Sequence, residues 1–319
     1  MEFLKFQSPR GKEGYMKLKL VLMVLALSMC SYSSEQNELK IVSLSTTHTE
    51  IIDSLDAEDQ LVGIDAFYKL DLPVERIDAF TVTADEIAEL NPDIVFVAFD
   101  FNGIIEGLEN KNITYALLPP AKNLNEVYEQ INIVGDLIGK SAKATEVVRD
   151  MKIEINSILN NVNYENVSVY HEIGYSYGIY SVNSDSLIGE IYNQLGINNI
   201  AQNVEDPFES GFPALNEEFV LEANPDFVIV GHSDYLNKDL STRAGWEAIN
   251  AVQNDNVYFL DENLANNWGT TTVQLVSELS NSFSETNKTN EFSDVFVLIS
   301  LLVLSTIGIY IPRKRKEKV

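Results

Sequence analysis

The side chains able to do chemistry in this chain are few and dispersed. Its three histidines are His48, His171 and His232, and its single cysteine is Cys30. There is no Gly-x-Ser-x-Gly elbow, no Walker-type phosphate loop and no His-Glu-x-x-His helix. Those absences speak against the serine hydrolases, phosphate-loop enzymes and zinc proteases that such motifs mark. Each histidine follows or lies within a strand-like segment. Strand ends of one α/β cleft can converge, so a histidine metal site stands as an alternative to three local hydrogen-bonding roles. One cysteine leaves no disulfide framework and no thiolate metal cluster.

The aromatic residues are better organised. Phe67 and Tyr68 follow the apolar run Leu61–Ile64, and Phe99 and Phe101 follow Ile94–Val97. Tyr175, Tyr177 and Tyr180 follow Val167–Ile173, and Tyr235 follows Phe227–Val230. Phe208 and Phe212 precede that last run, and Trp268 comes after Asn256–Leu260. Nearly all stand where the chain leaves a strand, the edge at which α/β proteins bind ligands. A cleft walled in this way suits a large, flat, partly apolar molecule held by stacking and surface burial. It has few cations with which to hold an anion. The candidate ligand-binding residues are therefore Phe67, Tyr68, Phe99, Phe101, Tyr175, Tyr177, Phe212, Tyr235 and Trp268. No catalytic residue, metal ligand or cofactor is assigned.

The elements that would position them are announced by a repeated phrase. Asp85-Glu86-Ile87-Ala88-Glu89-Leu90-Asn91-Pro92-Asp93 leads into Ile94–Val97, and Glu218-Phe219-Val220-Leu221-Glu222-Ala223-Asn224-Pro225-Asp226 leads into Phe227–Val230. Each copy reads as a short helix stopped at Asn-Pro-Asp and feeding a buried strand. Asn tolerates the left-handed conformation that ends a helix, and Pro cannot continue one. The unbroken apolar runs suit parallel strands covered on both faces.

Strand and helix signals alternate around both copies, which predicts an α/β fold of two lobes with parallel-type sheets. An N-terminal lobe spans 38–122 and a C-terminal lobe 164–283. Between them, 123–163 carries apolar residues at helical spacing: Val127, Ile131, Val134, Leu137 and Ile138, then Ala144, Val147, Val148, Met151, Ile155, Ile158 and Leu159. The second series predicts a long helix bridging the lobes.

The ends are not lobe material. Residues 1–34 form a leader and signal peptide: Lys17 and Lys19 precede an apolar stretch from Leu20 to Leu27. Met16 is a candidate start, and Cys30 stands where a lipoprotein cysteine would sit. Residues 284–293 read as a polar stalk. Residues 294–312, with an uncharged run from Val295 to Ile311, read as a transmembrane helix at the short limit for a bilayer. The basic tail 313–319 acts as its cytoplasmic stop. The folded part is thereby expected on the extracytoplasmic face of the cell membrane. The chain carries 22 Lys plus Arg against 48 Asp plus Glu, a net charge of −26, and many of its basic residues lie in the two ends. An exterior this acidic opposes nucleic acid and anionic lipid.

Ile41-Val42-Ser43-Leu44-Ser45-Thr46-Thr47-His48-Thr49-Glu50-Ile51, Leu61-Val62-Gly63-Ile64 and both Asn-Pro-Asp phrases resemble the substrate-binding proteins of ABC importers for cobalamin and iron–siderophores. So do Val169-Tyr170-His171-Glu172, Ser186-Leu187-Ile188-Gly189-Glu190-Ile191, Gly196-Ile197-Asn198-Asn199-Ile200-Ala201, Arg243-Ala244-Gly245-Trp246 and Asn256-Val257-Tyr258-Phe259-Leu260-Asp261. The resemblance runs from about residue 39 to 283. It implies a carrier and no enzyme: a monomer that takes a small-molecule ligand, a corrinoid or an iron chelate, to an ABC permease. It also implies one acidic docking residue per lobe, here Asp85 and Glu218, with Glu86 and Glu217 as neighbours that could substitute. The family's aromatic ligand walls match Phe67, Phe99 and Phe212, with Trp268 nearby. Its anion-binding members use cleft arginines; the only exterior arginines here are Arg76, Arg149 and Arg243. That tilts the expectation toward cobalamin or a related corrinoid over a ferric siderophore or haem. A tethered receptor without a transport role is the alternative of another class.

Overall fold

A computed structural model of the chain describes residues 39–69, 72–162, 164, 166–234 and 238–284. The leader and signal segment, Cys30, Tyr235, the stalk beyond residue 284 and the candidate membrane helix lie outside the described residues. Among the described residues, no helix is long and apolar enough to cross a membrane.

The first sheet has five parallel strands in the order β3-β2-β1-β4-β5. These are β1 Ile41–Ser43, β2 Leu61–Asp65, β3 Glu75–Ile77, β4 Ile94–Val97 and β5 Tyr115–Leu117. Helices α1 Thr46–Ser54, α2 Ala84–Glu89 and α3 Ile104–Asn110 connect them. Strands β1 and β4 are buried along their whole length, the burial pattern of parallel strands covered on both faces.

Helices α4 Leu124–Leu137 and α5 Ser141–Asn160 follow. The second of them has 20 residues and spans about 30 Å. They cross closely because residue 135 is glycine: a Cβ there would lie 2.4 Å from that of Ala144.

The second sheet has four parallel strands in the order β11-β10-β6-β8. They are β6 Ser168–Glu172, β8 Asn198–Asn199, β10 Phe227–Val230 and β11 Val257–Phe259. A separate antiparallel pair, β7 Ile179–Tyr180 with β9 Ala214–Leu215, stands beside it. Helix α6 Leu187–Gln194 and helix α7 Glu217–Ala223 precede β8 and β10 respectively, and two one-turn helices, α8 Asn250–Gln253 and α9 Glu262–Ala265, flank β11. A final helix, α10, occupies 272–284.

The repeat phrase folds alike in both places. Asn91 and Asn224 adopt φ of 49° and 45°, the left-handed stops expected of them. Asp93 Oδ2 accepts the backbone N–H of Lys40, just before β1, at 2.8 Å. Asp226 Oδ2 accepts the N–H of Ser168, the first residue of β6, at 3.0 Å. Each aspartate thus pins the start of its strand to the neighbouring one.

The largest hydrophobic core joins the two halves of the chain. It runs from Ile41, Ile51 and Phe96 through Val127, Ile131, Met151 and Ile155 to Val169, Ile191, Phe227, Leu279 and Phe283. Smaller cores cover the other faces, around Val42, Ile87 and Leu108 on the first sheet and around Tyr170, Val228 and Trp246 on the second. The α/β alternation predicts parallel strands only. The antiparallel pair is an addition: Ile179 and Tyr180 meet Leu215 and Ala214, and a separate bridge folds Tyr180 back onto Gly174.

Candidate ligand site

The loops leaving β2, β3 and β4 bring aromatic rings into a continuous strip. Phe67 meets Phe80 edge-on at 6.2 Å between ring centroids. Phe80 lies 4.7 Å from Phe101, and Phe101 lies 5.3 Å from Phe99. Phe99 meets Trp268 edge-on at 6.4 Å. Phe67, Phe80 and Phe99 are 60%, 52% and 45% exposed, high values for phenylalanine, so they present an apolar surface to the outside of the protein. Backbone capture aims them: Asp65 Oδ1 accepts the Phe67 N–H at 2.8 Å, and Asp78 Oδ1 accepts the Phe80 N–H at 2.9 Å. Asn102 donates to the Phe80 carbonyl.

At the end of the strip, Trp268 donates its indole N–H to Gln130 Oε1 on α4 at 3.1 Å. The ring also meets His48 edge-on at 6.3 Å. His48, in the first turn of α1, is wholly buried, and that burial lowers its pKa to about 4 against a smaller opposing effect of the Leu118 backbone. His48 is therefore a neutral part of the wall's backing.

Among the described residues, the sequence candidates Tyr68, Tyr175, Tyr177 and Phe212 make no ring contact with this strip. Tyr68 turns inward and donates to Asp53 on α1 at 3.3 Å. Phe67 and Tyr68 lie at a turn closed by the bond from the Tyr68 N–H to the Asp65 carbonyl at 3.2 Å, and only Phe67 meets the strip. Tyr177 is 96% exposed on the turn before β7. Phe212 sits in the 206–212 loop, which is gathered around one carboxylate: Asp206 accepts from the backbones of Phe208, Ser210, Gly211 and Phe212. Those bonds, with the Ser210 hydroxyl foremost, hold the Asp206 carboxyl down at about 2. Tyr235 lies outside the described residues. Phe80, conversely, was not among the sequence candidates.

Tyr175 belongs to a polar cluster at the end of the second sheet. The Arg243 guanidinium lies 3.8 Å over the Tyr175 ring and 4.5 Å over that of Trp246. Its two nitrogens donate to both oxygens of Glu172 at 2.6 and 2.9 Å. Tyr170 donates to Glu172 at 3.1 Å, and His232 Nε2 lies 2.9 Å from Glu172 Oε1. Burial pushes the Glu172 carboxyl up, but the His232 and Arg243 hydrogen bonds and the charge of Arg243 outweigh it and hold the group below its usual range. Arg243 is thus neutralised within the protein. Arg149 pairs with Asp150 and Glu146 on the exposed side of α5, and Arg76 donates to the Tyr68 carbonyl. Among the described residues, no group of three or more His, Cys, Asp or Glu side chains is placed to hold a metal ion.

Asp85 and Glu218 stand in the first turns of α2 and α7, equivalent points of the repeat, and both are exposed. Asp85 pairs with Lys111. Their neighbours are engaged within the fold. Glu86 closes a capping box with Thr83, and Glu217 accepts from the Tyr175 hydroxyl at 3.3 Å.

A family model described as periplasmic binding protein matches residues 41–264, from β1 into α9. The chain belongs to that family. Members of this family hold solutes and do not transform them, so the chain is not an enzyme. A Bacillus subtilis relative, named as an uncharacterized ABC transporter substrate-binding lipoprotein, is 29% identical over 254 residues, covering 76% of this chain and 79% of its own. A protein of Halobacterium salinarum named cobalamin-binding protein is 24% identical over 263 residues, covering 77% and 70%. Among solved structures, a periplasmic haem-binding protein from Roseiflexus in its apo form superposes with a TM-score of 0.69 at 19% identity, covering 78% of this chain and 99% of that one. The last comparison speaks to the fold alone.

Proposed function

We propose that this periplasmic binding protein is the extracytoplasmic solute-binding component of an ABC importer and that its ligand is cobalamin or a related corrinoid. The observation that carries the ligand class is the partly exposed strip Phe67–Phe80–Phe101–Phe99–Trp268 in a protein whose exterior arginines are each bonded to groups of the fold itself. Such a surface gains from burying a broad apolar face and offers no arginine fork to a carboxylate. A corrinoid with amide side chains fits that description better than a haem with two propionates or an anionic catecholate chelate. The name of the H. salinarum relative points to the same ligand, and that of the B. subtilis relative to the importer role alone. Tyr175, Tyr177, Phe212 and Tyr235 remain candidate residues for the opposite wall.

In this reading the two sheet-bearing halves are lobes bridged by α5, and the permease is engaged through Asp85 and Glu218. The protein acts as a monomer held at the outer face of the membrane. The tether is the apolar segment 294–312 or an acylated Cys30, argued from hydropathy and position alone.

Absorbance titration of the purified full-length protein with cyanocobalamin, haemin and ferric chelates tests the ligand class, since each has its own spectrum. Saturable one-to-one binding of cyanocobalamin is the expected result. Preference for haemin or a ferric siderophore would move the assignment to that ligand; binding none of the three would remove it.

A further inference from the structure

The strip's last ring, Trp268, reaches it from the far end of the chain. Strand β11 and helix α9 belong with the second sheet, yet residues 267–271 are fixed to α1 of the first. The fastening is one carboxylate. Glu50 Oε2 accepts from Asn267 Nδ2 at 2.5 Å and from the Thr271 hydroxyl at 2.9 Å. Its Oε1 accepts from the Thr270 hydroxyl at 2.6 Å and from the Thr271 backbone N–H at 2.7 Å. Asn267 is gripped from its other side too, because its Oδ1 accepts from the Thr47 hydroxyl at 3.0 Å and from the Gly269 N–H at 2.8 Å. Gly269 lets the strand of chain pass this close: a Cβ there would lie 2.9 Å from Glu50 Oε1.

Glu50 and Asn267 are both buried, 9% exposed each, and no cation among the described residues pairs with Glu50. A buried carboxylate without a counter-charge is retained only when its lone pairs are filled, and here four donors fill them. Trp268 lies inside the fastened stretch. Its backbone is held on both sides, and its indole is held by Gln130.

We propose that Glu50 is a positioning residue that ties the segment 267–271 to α1, fixing Trp268 as a preorganised wall of the aromatic strip and adding a second strap, besides α5, between the two halves. The effect on ligand affinity rests on the reading of the strip as the binding surface; the fixation of Trp268 does not. A ligand that stacks on a prefixed ring loses less freedom on binding than one that must order it.

The chain's two tryptophans make this measurable in the full-length protein. Trp246 is fully buried and gives a quencher-resistant background, so acrylamide quenching reports Trp268. Glu50→Gln turns an acceptor into a donor against Asn267 and Thr271; Thr270→Val and Thr271→Val each delete one hydroxyl donor. The proposal expects Trp268 quenching to rise severalfold in Glu50→Gln and less in the threonine variants, with circular dichroism unchanged. It expects cyanocobalamin binding to weaken by about tenfold in Glu50→Gln, with Glu50→Asp recovering part of the loss. If Glu50→Gln does not fold, the threonine variants decide by the same quenching measurement. Wild-type quenching in folded Glu50→Gln, or in both threonine variants when they alone are folded, overturns the proposal. Failure of wild-type protein to bind cyanocobalamin would instead count against the corrinoid reading, and the quenching result would still stand or fall by itself.

Discussion

Neutral buried imidazoles shape the chemistry of this protein more than any reactive group does. Burial lowers His48 to about 4 and His171 to about 3, the latter also through the nearby His232. Both values lie below the ordinary 6.5, so the folded state binds fewer protons than the unfolded chain between those limits. The stability these groups contribute is complete above about 6.5 and falls as pH drops toward 4, by roughly 3 kcal/mol for a wholly buried imidazole. Urea unfolding from pH 7 to pH 4.5 checks this: the wild type should lose stability steadily, and His48→Leu should show a shallower slope. Equal slopes would mean that His48 is not the buried neutral group described. Arg243 carries a related lesson. From sequence it is one of three exterior arginines without a visible partner. Its partner, Glu172, is 71 positions away, and only the folded chain brings them together.

At the scale of elements, the repeated phrase was legible because local chemistry determines it. Asn91 and Asn224 end helices, Pro follows, and the buried strand comes next. The strip was legible in part for the same reason. Phe67, Phe99 and Phe101 follow apolar strands that can be read from their composition, whereas Phe80 follows β3, a short strand of Glu75-Arg76-Ile77 at the sheet edge that reads as loop. Tyr68 does not join because its hydroxyl is bound to Asp53 on α1, a contact 15 positions away in the chain. The two first-turn carboxylates yield a prediction about helices α2 and α7. Changing Asp85 and Glu218 together to Lys should leave cyanocobalamin affinity within about twofold, since exposed charges of this kind add little to the fold. The same change should abolish uptake in cells that depend on this importer. Normal uptake by the double variant would end the docking proposal.

Across the whole molecule, two parallel sheets share one core through α4 and α5 and are strapped again at 267–271. That double connection favours a small adjustment on ligand binding over a wide hinge closure. The two-sheet plan and the long helix follow from alternating patterns in the sequence. The second strap does not, because it is a hydrogen-bonded contact between Glu50 and residues more than 200 positions later. The strongly acidic exterior adds solubility and keeps anionic surfaces away, which accords with a carrier of an uncharged or cationic cargo.

All of this turns on whether a flat ligand lies against the phenylalanine strip. Isothermal titration of cyanocobalamin into the full-length protein and into a Phe80→Ala/Phe101→Ala variant asks that directly. The account predicts saturable binding by the wild type and affinity lower by about tenfold or more in the variant, with melting temperature little changed because Phe80 is half exposed and Phe101, beside it, is only partly buried. Undiminished affinity in a folded double variant would contradict it.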